Sequence, residues 1–77
     1  MPATILELPV GSKAILTSYS SDSSFAIRLQ EMGLIPGTVF SVIRKAPFGG
    51  PIEISFGHTK LAFRPVQNDT IFVQIQD

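Results

Sequence analysis

The segment Ile52-Glu-Ile-Ser-Phe-Gly-His-Thr-Lys-Leu-Ala-Phe63 constrains the fold more than any other part of this chain. Apolar residues alternate with polar ones on both sides of Gly57-His58, and strict alternation is the signature of half-buried strands. A two-residue connection with glycine first predicts a type II′ hairpin, because glycine reaches positive φ without a steric penalty. That turn sets Phe56 opposite Thr59, Ile54 opposite Leu61 and Ile52 opposite Phe63. Ser55 then faces Lys60, and Glu53 lies diagonal to Lys60 and Arg64. A slip of one residue would mix the apolar and charged faces, so the pattern itself fixes the register.

A hairpin cannot stand alone in water, so the rest of the chain must cover its apolar face. Period two recurs from Thr38 to Lys45, where both faces carry apolar residues, and again over Ile71 to Ile75. A shorter strand is predicted over Lys13 to Thr17. Ahead of it, Leu6, Leu8 and Val10 read as an extended lead-in along the core edge, with Pro9 opposing a full central strand. One helix is predicted, Phe25 to Met32, with Asp22, Ser23 or Ser24 as N-cap. Gly33 stands where a left-handed residue ends a helix, and Pro36-Gly37 turns the chain into the next strand. Phe25, Leu29 and Met32 form one apolar stripe, while Ile27 lies about 200° from Phe25 around the helix. The expectation is a mainly β fold: a small barrel of about five strands, with one short α-helix inserted after the first strand. An open sheet with the helix on one face is the alternative.

Size and composition limit the function. The 77 residues make one domain, 1–77, and the chain contains no cysteine and a single histidine, His58. Disulfide stapling and cysteine-based zinc sites are thereby excluded. Six basic and six acidic residues cancel, so no electrostatic footprint for nucleic acid is expected. No secretory signal and no apolar run of membrane-spanning length is read, which predicts a cytoplasmic protein. His58 reads as a turn residue with no evident nucleophile beside it, and no phosphate-binding glycine-lysine loop occurs. A non-enzymatic binding module with no cofactor and no metal is the expectation.

Two turn motifs then narrow the reading. Arg28-Leu-Gln-Glu-Met-Gly-Leu-Ile-Pro-Gly-Thr38, followed by Ala46-Pro-Phe-Gly-Gly-Pro-Ile-Glu-Ile54 and the ending Leu61-Ala-Phe-Arg64, resembles the FeoA family in order and spacing. Phe48 stands where leucine is more usual, and Pro65-Val-Gln-Asn-Asp69 where an acidic-alanine turn is common. The resemblance implies an SH3-like barrel and a cytoplasmic accessory role in ferrous iron uptake. It also implies a partner, the membrane transporter FeoB. Other readings are a nucleic-acid-binding barrel, a regulator-type interaction domain, and an iron chaperone using His58 and scattered carboxylates.

Gly33, Pro36 and Gly37 read as structural, and Leu29 and Met32 as core. Phe48 has two readings, a cap on the barrel end or an exposed aromatic that meets a partner. The candidate partner-binding set is Ile27, Arg28, Pro47, Phe48, Gly49 and Pro51. Arg28 matches the family's basic position. Self-association through Phe48 and Ile27 is left open.

Overall fold

The computed structural model describes residues 3–65 and 70–76, so positions 66–69 of the divergent turn lie outside it. Six antiparallel strands form one sheet: β1 (Ala3–Thr4), β2 (Lys13–Tyr19), β3 (Val39–Lys45), β4 (Ile52–Phe56), β5 (Thr59–Phe63) and β6 (Ile71–Gln76). Their spatial order is β1-β6-β2-β3-β4-β5. The helix α1 spans Ser24–Glu31.

The sheet coils around a single core. One buried cluster joins Ile5 and Leu8 near the start, Ala14 and Leu16 of β2, Phe40 and Val42 of β3, Leu61 and Phe63 of β5, and Ile71 and Val73 of β6. Strands at opposite ends of the hydrogen-bonded order share that cluster, as expected of an SH3-like barrel. Among the described residues the barrel is not closed, however, and β1 and β5 remain as edges. Pro65 lies two residues past the end of β5 and has no N–H with which to extend a ladder.

The hairpin has the predicted register. Ile52 pairs with Phe63, Glu53 with Ala62, Ile54 with Leu61, Ser55 with Lys60 and Phe56 with Thr59. Gly57 has φ 58° and His58 is not in the positive-φ region, as a type II′ turn requires. Glu53 finds its ion-pair partner on the other neighbouring strand, where Arg44 Nε lies 3.9 Å from its carboxylate. A bulge makes this possible. The register between β3 and β4 shifts after Val42, so Arg44 leaves the Phe40–Val42 face and sits opposite Glu53. A bulge re-aims the side chains beyond it.

Helix α1 is closed at both ends by side-chain and backbone bonds. Of the three predicted N-caps Ser23 serves, its hydroxyl accepting from Ala26 N–H at 3.1 Å. Gly33 has φ 103°. Its N–H donates to Gln30 C=O and that of Leu34 to Leu29 C=O, both at 3.0 Å. This is a Schellman closure, and the buried pair Leu29 and Leu34 supplies its apolar contact. Thr38 N–H donates to Ile35 C=O at 3.0 Å, and Gly37 has φ 95°. Proline second and a positive-φ glycine third define a type II turn. Tyr19 ties this turn to β2 by donating its O–H to Leu34 C=O, and burial pushes its phenol up to about 12.

Three expectations are corrected. The lead-in is not extended: Ile5–Glu7 is a 3-10 turn. At three residues per turn, Ile5 and Leu8 share the inner face, so Leu6 and Val10 point to solvent. β1 precedes it, so α1 follows the second strand and the strands among the described residues number six. Met32 caps the helix and is 49% exposed rather than core. At about 100° per residue, the buried direction runs between Ala26 and Leu29, which leaves Phe25, Met32 and Arg28 on one shoulder.

Candidate functional site

The loop between β3 and β4 is braced at its root. Ala46 N–H donates to Pro51 C=O at 2.9 Å. Lys45 belongs by register to the inner side of the sheet, opposite Ile52. Its ammonium reaches across to donate to Leu6 C=O and Leu8 C=O, at 2.9 Å each. A Cβ on Gly50 would come within 2.7 Å of Ala46 Cβ, so no side chain fits there unless the backbone shifts.

At the tip, Gly50 N–H donates to Pro47 C=O at 3.2 Å, closing a four-residue turn. Its central residues Phe48 and Gly49 have φ 58° and 72°. Positive φ at both is the type I′ pattern, whose first central position normally takes Asn, Asp or Gly. A phenylalanine there carries a steric penalty of about 1–2 kcal/mol. Phe48 gets no packing in return, since its exposure is 103%. It does not cap the barrel end.

The other candidates lie on α1. Ile27 is 47% exposed, on the side away from the shoulder. Arg28 lines a groove of about 330 Å³ between α1 and β5, together with Phe25, Leu29, Met32 and residues Leu61 to Arg64. The ring of Phe25 meets that of Phe63 edge-on, 6.0 Å between centroids. Thus Pro47, Phe48, Gly49 and Pro51 form one contiguous, exposed loop tip, whereas Arg28 belongs to the groove. Arg64, read from the sequence only as a neighbour of Glu53 and the end of a motif, lines this groove, and the free edge of β5 was not read from the sequence at all. The hairpin pattern placed β5 beside β4 but gave no sign of what stood on its other side.

His58 is exposed in the hairpin turn. Among the described residues, no group of three or more His, Asp or Glu side chains comes together in a way that could hold a metal ion. No helix there is long and apolar enough to cross a membrane.

A coiled six-stranded sheet with one capped helix, a braced aromatic-tipped loop and a groove beside an edge strand defines a small SH3-like domain. The FeoA domain model matches residues 3–75, and the chain belongs to the FeoA family. The solution NMR structure of the FeoA protein from Chlorobium tepidum superposes with a TM-score of 0.85 at 32% sequence identity, covering 97% of this chain and 71% of that one. The family consists of small accessory proteins of ferrous iron transport.

Proposed function

We propose that this chain is a cytoplasmic regulatory module that acts by binding the FeoB membrane transporter, with Phe48 as the main contact. The observation that carries the reading is Phe48 itself. It is a wholly exposed aromatic held in the left-handed region on a braced loop. Strain of this kind persists where the surroundings enforce it and is concentrated at functional sites. A rigid, preshaped aromatic suits a binding hot spot, because little conformational entropy remains to be lost when it docks. Pro47, Gly49 and Pro51 frame it, and Ile27 and Arg28 supply a second patch on α1. The module performs no chemistry of its own, and any nucleotide turnover belongs to the transporter.

The test is calorimetry of the full chain against detergent-solubilised full-length transporter, with and without guanine nucleotide, alongside ferrous iron uptake in a deletion strain. Saturable binding and reduced uptake are expected. Absence of binding under every nucleotide condition, together with normal uptake, would overturn the reading.

A further inference from the structure

The free edge of β5 and the groove beside it make a second site, and its register states what it would accept. In a two-residue hairpin the residues flanking the turn exchange both hydrogen bonds, and such pairs then alternate. Thr59, Leu61 and Phe63 therefore turn their backbone groups toward β4, where each has its partner. Lys60 and Ala62 turn theirs outward. β5 ends the strand order, and among the described residues no backbone bond reaches those outward groups. Both residues are exposed.

Across the gap stands α1. Its N-terminal end lies at the Phe63 end of β5, where Phe25 meets Phe63. Its C-terminal end lies toward the hairpin turn, where Gly33 approaches the Phe56 ring. The helix thus runs along the edge strand and walls off a trough whose lining contains Phe25, Leu29 and Met32, two arginines and no carboxylate. An edge strand facing a helix across a groove is the arrangement that receives an extended peptide as an added strand.

We propose that this groove binds an extended segment of a partner protein in which apolar and acidic residues alternate, added as a strand beside β5. Its backbone bonds the outward N–H and C=O groups of Lys60 and Ala62. Its apolar side chains enter between Phe25, Leu29 and Met32. Its carboxylates meet Arg28 on the helix wall, Lys60 on the outer face of β5 and Arg64 just past the end of that strand. A second copy of the same edge is disfavoured, because pairing two β5 strands would set Lys60 and Arg64 against like charges. The proposal rests on the chain being a partner-binding module and adds to it the chemistry of a second contact, separate from Phe48.

The probe is a capped hexapeptide alternating valine and glutamate, titrated into the isotope-labelled full chain by NMR. Shifts centred on β5 and α1 are expected, with slowed solvent exchange at the Lys60 and Ala62 amides. The double variant R28E/R64E, both positions on the surface, should bind roughly tenfold more weakly. Ala62→Pro removes an outward N–H that no ladder bond uses, and should abolish binding while the fold is retained. A peptide with lysine for glutamate, or one with N-methylated backbone, should not bind. Shifts elsewhere, no shifts, or equal binding of the lysine peptide would overturn the proposal. Phe48→Asn should leave this titration unchanged. Loss of transporter binding in Phe48→Asn with a silent hexapeptide would sink the groove alone, while peptide binding without any transporter binding would sink the partner reading alone.

Discussion

Two connections in this barrel place a residue at φ 58°, and they do so with opposite chemistry. Between β4 and β5 the residue is Gly57; between β3 and β4 it is Phe48. Glycine takes that conformation freely, and the short turn serves only to register Ile52, Ile54 and Phe56 against Phe63, Leu61 and Thr59. Phenylalanine takes it against steric resistance and leaves its ring in water. The first connection is what the fold requires. The second departs from what the fold requires, and in the function proposed above its local cost is offset by binding.

The contrast can be broken or sharpened by substitution. The largest effect belongs to the side chains the hairpin buries. Ile54, fully buried, should lose about 2–5 kcal/mol of unfolding free energy when truncated to Ala, measured by urea denaturation, whereas Phe48→Ala should lose none. Gly50→Ala comes next. Overpacking against Ala46 should cost about 1–3 kcal/mol and disturb the loop root, visible as shifts at Ala46 and Pro51. Gly57→Ala should cost about 1–2 kcal/mol for the same left-handed conformation that Phe48 already tolerates. In the opposite direction, Phe48→Asn should raise stability by about 1 kcal/mol, read as a melting temperature higher by about 4–8 °C. The smallest effect is Arg44→Ala. Its ion pair is long and the arginine is 78% exposed, so a change within about 0.5 kcal/mol is expected at moderate salt.

The same contrast explains what could be read in the sequence. The hairpin was legible because alternation and turn chemistry agree in one local segment. A cap among Asp22, Ser23 and Ser24, the Gly33 stop and the Pro36-Gly37 turn were legible for the same reason. Features set by nonlocal geometry were not. The 3-10 turn at Ile5–Glu7 changes the phase of Leu6 and Leu8, which period two alone misreads. The bulge after Val42 moves Arg44 to the outer face, where it takes Glu53 from the predicted partners Lys60 and Arg64. Rotation of α1 about its axis turned Met32 out of the core, and an eight-residue stripe is too short to define that rotation. The loop was marked by its residue types, but only its folded course, which leaves the ring in water, separates a capping Phe48 from an exposed one. The groove depended on β5 being an edge, and strand order is not written in any one strand.

The central claim is that Phe48 is kept for binding at the expense of stability. It is tested most directly by measuring the melting temperature of wild type and Phe48→Asn together with the affinity of each for full-length FeoB transporter in detergent. The account predicts that the variant melts higher and binds at least about tenfold more weakly. A variant that melts lower, or that binds the transporter as tightly as wild type, would contradict it.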